Sequence, residues 1–190
     1  MPGDNSGALE GRPPCRPPLP ATSARTEPGP PGPPYPRRSH PAHPPVLQRG
    51  NRSIILLVTV CTQDRKPILA RPGVHDLLKA AWREADGWVV GRYVIMPDHV
   101  HVFCAPGAAP YPAVKKWAAY WKSLAASRWP HPEDGKVWQR DCWDRQLRRG
   151  ESYTEKWEYV LRNPVRAGLA PDQAAWPYQG ELNTLMWHDK

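Results

Sequence analysis

The seventeen residues WVVGRYVIMPDHVHVFC, Trp88 to Cys104, hold two apolar, β-branched segments parted only by Pro97-Asp98-His99. Segments this close read as a hairpin or two closely apposed strands, Trp88 to Met96 and Val100 to Cys104. His99 and His101 flank Val100 in the second. Side chains alternate across a strand, so both imidazoles project to one face while Val100 and Val102 point to the other, into a core.

Working outward, Ile54 to Thr62 is an apolar run of strand length, ended by the turn residues Asp64-Arg65-Lys66-Pro67. After Pro72-Gly73, Val74, Leu77, Leu78, Ala81, Trp82 and Ala85 recur at three- and four-residue spacing, the stripe of an amphipathic helix closed by Asp86-Gly87. A second helix is predicted from about Ala113 to Trp129, with Val114, Trp117, Ala118, Trp121 and Leu124 on one face and Pro130 as its stop. Val137 to Leu147 reads as a strand. Ser152 to Arg162 reads as a third helix ended by Asn163-Pro164, because proline disfavours helix in the residue before it. The order β-α-β-β-α-β plus a helix predicts an α+β, ferredoxin-like (split βαβ) antiparallel sheet, with helices on one face and a further C-terminal helix.

Proline is concentrated in the first fifty residues, which hold more than half of the 26 in the chain and few large apolar residues. Such a stretch cannot bury enough surface to offset its ordering entropy. Residues 1–48 are therefore expected to be a disordered Pro-rich arm, and 49–190 the folded domain. P-x-x-P patterns occur in the arm, as chance supplies in any segment this rich in proline. The net charge of +8 is shared: six basic against three acidic residues in the first fifty, twenty against fifteen after them. The folded part is basic in its own right, which favours a polyanionic partner. The longest apolar run, Ile54 to Cys61, is far short of the roughly 20 residues that span a bilayer. With no apolar secretory h-region at the start, a cytoplasmic location is expected. Cys15, Cys61, Cys104 and Cys142 lie far apart without a C-x-x-C pair, and are read as reduced structural thiols.

Two imidazoles on one rigid strand surface make half of a divalent-metal site, and Asp98 beside them could orient a ring as a hydrogen-bond acceptor. On the third helix Tyr159 and Asn163 stand at i and i+4 and share a face. A tyrosine there could serve as a nucleophile and the amide oxygen as a hard ligand to the same ion; packing alone would also account for the pair. Around this helix Lys136, Arg140, Arg145, Arg148, Arg149, Lys156, Arg162 and Arg166 are interleaved with Trp138, Trp143 and Trp157. Arginines pair with phosphates and tryptophans stack on bases, the combination used on single-stranded nucleic acid. Asp141, Asp144, Glu151, Glu155 and Glu158 dilute it, and ordinary ion pairs on a solvated helix explain part of the pattern.

The stretch Tyr93-Val94-Ile95-Met96-Pro97-Asp98-His99-Val100-His101-Val102 resembles the HUH metal-binding motif of small tyrosine transposases. Trp143-Asp144-Arg145-Gln146-Leu147-Arg148, Glu151-Ser152-Tyr153 and Glu158-Tyr159-Val160-Leu161-Arg162-Asn163-Pro164-Val165-Arg166-Ala167-Gly168-Leu169 resemble the catalytic-helix region of REP-associated tyrosine transposases. The resemblance runs from about residue 50 to 188 and leaves the Pro-rich arm unmatched. It implies His99, His101 and Asn163 as metal ligands, Tyr159 as the single nucleophile, and a structural Tyr153. It implies Mg²⁺ or Mn²⁺ as cofactor, and as partner single-stranded DNA carrying a hairpin, cleaved and rejoined through a 5′-phosphotyrosine intermediate. A homodimer and a monomer both fit it. Two other readings stay open: a hairpin-DNA-binding protein without catalysis, and a rolling-circle initiator-type nickase.

Overall fold

The computed structural model describes residues 41–47, 53–148 and 151–187. Arg149 and residues 1–40 of the expected arm lie outside the described residues. The elements are β1 (Leu56–Cys61), α1 (Pro72–Glu84), β2 (Trp88–Met96), β3 (His99–Pro106), α2 (Val114–Ser127), β4 (Trp143–Gln146), α3 (Tyr153–Leu161), the short α4 (Asn163–Arg166) and β5 (Gln179–Glu181). The five strands form one antiparallel sheet in the order β4-β1-β3-β2-β5. The first four strands follow the split βαβ pattern: β3 lies between β1 and β2, and β1 between β3 and β4, as expected for an α+β, ferredoxin-like domain.

Strand alternation divides the core in two. Val58 and Val60 of β1 and Val100 and Val102 of β3 face α1 and α2, where Leu78, Trp82, Trp117 and Trp121 are buried. Ile55, just before β1, Val94 of β2 and Phe103 of β3 face the other way, against Tyr153 and Val160 of α3 and Trp176 and Leu185 of the C-terminal segment. α1 and α2 thus share one face, and α3 covers the other. A bulge between Val90 and Tyr93 resets the alternation of β2, so both side chains reach the α1 side. Gly91 sits in that bulge, and a Cβ there would stand 2.5 Å from Leu185 Cγ, so the C-terminal segment requires glycine at this point.

Four expectations are corrected. The strand predicted over 137–147 pairs as a ladder only at Trp143–Gln146, with one bridge from Trp138 to Thr62. The intervening residues instead cross the end of β1, where Gln63 N donates to Val137 O (2.7 Å) and Gln139 N to Cys61 O (3.0 Å). Asn163-Pro164 ends α3 but opens α4, because proline at a first helical turn has no amide to lose. Residues 41–47, placed in the arm by composition, lie against the domain: Leu47 N and O pair with the Gln146 side chain, and Val46 packs on the core. Cys61 is disulfide-bonded, whereas Cys104 and Cys142 are free buried thiols. Such a pairing is set by tertiary contact and leaves no mark in cysteine spacing.

Candidate functional site

β3 carries His99 and His101 on the α3 side of the sheet. His101 is fully buried, and its Nδ1 lies 2.9 Å from the Oγ1 of Thr59, the residue opposite it on β1. His99 Nδ1 lies 2.6 Å from Asp98 Oδ1, and Asp98 Oδ2 accepts from Arg65 Nε at 2.7 Å. A carboxylate only accepts, so His99 Nδ1 carries a proton, and the ring turns its Nε2 toward His101. Burial opposes ionisation of Asp98, but the hydrogen bond and charge of His99 and the Arg65 guanidinium outweigh it and hold the carboxyl below its usual range. For His101, burial and then the charges of His99, Arg65 and Arg166 push the pKa well down, so this ring is neutral.

With both Nδ1 atoms engaged, the two Nε2 atoms converge at 3.2 Å, ring planes 88° apart. Two nitrogens about 2.1 Å from one ion and 3.2 Å from each other subtend roughly 100° at it, between the octahedral and tetrahedral values. Fixed Nδ1 partners and this separation suit a divalent cation. Thr59 and Arg65 were not singled out from the sequence. Thr59 had a signal: it is the polar residue within the apolar run of β1, with the strand parity of the histidine-bearing face.

α3 is started by Ser152, whose hydroxyl accepts from Glu155 N at 3.2 Å. Its first turns lie over Phe103, two residues beyond His101 on the same face: the Tyr153 and Trp157 rings stand 5.1 and 6.3 Å from it. Tyr153 is buried, and burial pushes its phenol up to about 12, which fits a packing role. Tyr159 is half-buried, and Asn163 is buried at the α3–α4 junction. Arg166, from the end of α4, joins them: Nη2 donates to Asn163 Oδ1, and the guanidinium carbon stands 4.1 Å above the Tyr159 ring. Both groups belong to the α3 face of the sheet: Tyr159 packs against the cluster that holds Phe103, and His101 shares its strand and face with Phe103. Asn163 Oδ1 is held by a guanidinium here.

The basic residues divide into groups. Lys136 and Arg140 are exposed on the segment crossing the histidine end of β1. Arg145 and Lys156 both pair with Glu151 near the start of α3, so part of their charge is neutralised; Arg148 lies exposed beside them. Arg162 and Arg166 are exposed at the far end of α3, beside Asn163. Trp138, expected among the stacking residues, is buried against Trp121 and Trp129. Trp143 and Trp157 remain half-buried.

His43, Asp141 and Cys142 form a second cluster that could hold a metal ion, their ligand atoms all within 4.8 Å of one another. His43 Nε2 lies 2.8 Å from Asp141 Oδ1, and its Nδ1 pairs with Asp144. Lys115 Nζ already balances Asp141 Oδ2 at 2.9 Å. His43 lies about a hundred residues from its partners, so no local motif marked this group.

No family model matches the sequence, and no curated protein matches it. Among solved structures, a REP-associated tyrosine transposase bound to a REP hairpin superposes with a TM-score of 0.56 at 17% identity, over 70% of this chain and 79% of that one. This chain shares its fold. A candidate transposase from Deinococcus radiodurans R1 is also similar, at 22% identity and a TM-score of 0.43, over 60% of this chain and 94% of that one. Among the described residues, no helix is long and apolar enough to cross a membrane.

Proposed function

We propose that the protein is a single-strand DNA transposase or endonuclease that binds a hairpin and cleaves and rejoins strands through a covalent link to Tyr159. The observation that carries this reading is the convergence of two imidazole Nε2 atoms, 3.2 Å apart, on the sheet face that is covered by α3, the helix bearing Tyr159. The fold shared with a hairpin-bound tyrosine transposase supports it.

His99 and His101, with Asn163 once its oxygen is released, would hold Mg²⁺ or Mn²⁺, which when bound polarises the scissile phosphate. Asp98 and Thr59 fix the rings, so little reorganisation is needed on binding. The Tyr159 oxygen attacks phosphorus in line. One P–O bond to the phenol forms as the P–O bond to the 3′ oxygen breaks, and the phenolic proton is given up while the 3′ oxygen gains one. The ester conserves the bond energy, so a 3′-hydroxyl can reverse the step and rejoin a strand without a nucleotide triphosphate. Lys136, Arg140, Arg148 and Arg162, exposed and on the same domain, would track the DNA backbone; Arg145 and Lys156 are weaker candidates because Glu151 holds them. The site serves a cytoplasmic, DNA-bound protein.

The test is a hairpin-bearing oligonucleotide with Mn²⁺, scored for a denaturant-stable protein–DNA adduct. Wild type is expected to form it and Tyr159→Phe to form none; an adduct with Tyr159→Phe would overturn the nucleophile. His101→Ala should lose cleavage while keeping most hairpin affinity. Tight hairpin binding by wild type with no adduct under any divalent metal would favour the binding-only alternative.

A further inference from the structure

Arg166 differs from the other arginines near the site in what it rests on. Arg65 pairs with Asp98, Arg92 with Glu181 and Arg145 with Glu151. Arg166 rests on a neutral amide oxygen and an aromatic face, and among the described residues no carboxylate pairs with it. Its backbone is fixed, since its N–H donates to Arg162 O at 2.9 Å, but the residue is exposed and its side chain can swing. A guanidinium offers five donors in a planar fork, of which Asn163 engages one nitrogen.

We infer that Arg166 is an exchangeable counter-cation: without metal it occupies the Asn163 oxygen, and on metal binding it is displaced to pair with the phosphate that Tyr159 attacks. This rests on the metal assignment made above and adds a role to a residue expected only to contact DNA. Two positive charges compete for one amide oxygen, so metal entry at that oxygen requires that Arg166 withdraw. Its position above the Tyr159 ring keeps the released fork next to the attacking oxygen. There a bidentate arginine matches phosphate geometry and stabilises charge as it spreads over the phosphoryl oxygens.

The inference predicts effects of opposite sign from one substitution. In Arg166→Gln, Mn²⁺ affinity, read from free Mn²⁺ by electron paramagnetic resonance in the absence of DNA, should tighten about tenfold. Adduct formation at saturating Mn²⁺ should slow by about a hundredfold or more. Arg166→Lys retains the charge without the fork, and should bind Mn²⁺ within about threefold of wild type yet remain slow in adduct formation. A merely structural arginine would weaken both metal binding and chemistry in each variant, and that result overturns the inference, as does Mn²⁺ affinity unchanged in Arg166→Gln. His101→Ala separates the two levels of argument. If wild type and His101→Ala bind Mn²⁺ equally, the metal site itself fails. If His101→Ala loses binding while Arg166→Gln binds as wild type does, only the exchange fails.

Discussion

The two faces of the sheet are built from the same strands and do opposite work. On the α1/α2 face, alternate residues of β1 and β3 meet a dense layer of tryptophans: Trp82, Trp117 and Trp121 stack edge-on at 5.9 to 6.3 Å. On the α3 face the same strands place Thr59 and His101 side by side, with a shorter helix above them and arginine instead of carboxylate at its end. A polar pair can be buried there because each polar atom has a partner, and because the opposite face supplies the hydrophobic stabilisation. The strand period of two lets one segment serve both ends without compromise.

The largest test of this division is truncation of a fully buried ring on the structural face. Trp121→Ala should cost about 3–5 kcal/mol, a large part of the stability of an ordinary domain, and urea denaturation should show a much lower midpoint. Trp157→Ala, half-buried on the other face, should cost about 1 kcal/mol, chiefly its contacts with Phe103 and the Arg92 guanidinium. Equal costs would mean that the two faces share the stability evenly.

A finer comparison uses neighbours in sequence. Val102→Ala removes two buried methyl groups facing α1 and α2, and should lower stability by about 2 kcal/mol. Its response to Mn²⁺ should match that of wild type, about 2.7 kcal/mol of added stability at a hundredfold excess over Kd. His101→Ala should show no such gain. A Mn²⁺-dependent rise in Tm that survives His101→Ala would place the bound ion elsewhere, with the His43 cluster as the next candidate.

The structural face was the more legible of the two in the sequence. Its helices announce themselves through Val74, Leu78, Ala81 and Trp82, and through Val114, Trp117 and Trp121, because burial against a flat sheet imposes a period near 3.6. β2 was read to its observed limits, Trp88–Met96. The failures lie where stability comes from scattered polar contacts. β5 is three residues, Gln179–Glu181, held by pairing to β2 and by Arg92 to Glu181, with no apolar alternation to mark it. The seating of residues 41–47 depends on His43 and on the Gln146 amide, invisible to a composition argument that counts proline. In the site, the H-x-H pair and the spacing of Tyr159 and Asn163 were visible as local pattern. The grip of Arg166 on both could not be seen, since it depends on the chain continuing as α4 beyond Pro164.

A comparison in pH again separates the faces, because the free thiol of Cys142 belongs to the α1/α2 layer. Burial pushes it up to about 12 from an ordinary value of 9.0; the neighbouring carboxylates Asp144 and Asp141 act in the same direction, and Lys122 and Lys115 oppose them. A folded-state pKa above the unfolded one gives stability that is fully present below pH 9 and is lost as pH rises toward 12. Wild type should therefore lose roughly 2 kcal/mol more than Cys142→Ala between pH 8 and pH 10.5, read as the difference between their urea-denaturation curves. The comparison cancels the other alkaline groups, including Cys104, whose thiol burial also raises. Parallel curves would carry a specific meaning. They would mean that the thiol ionises as readily in the folded chain as in the unfolded one, whereas a thiolate held by a cation seated between Cys142, Asp141 and His43 would make wild type gain stability over this range relative to Cys142→Ala.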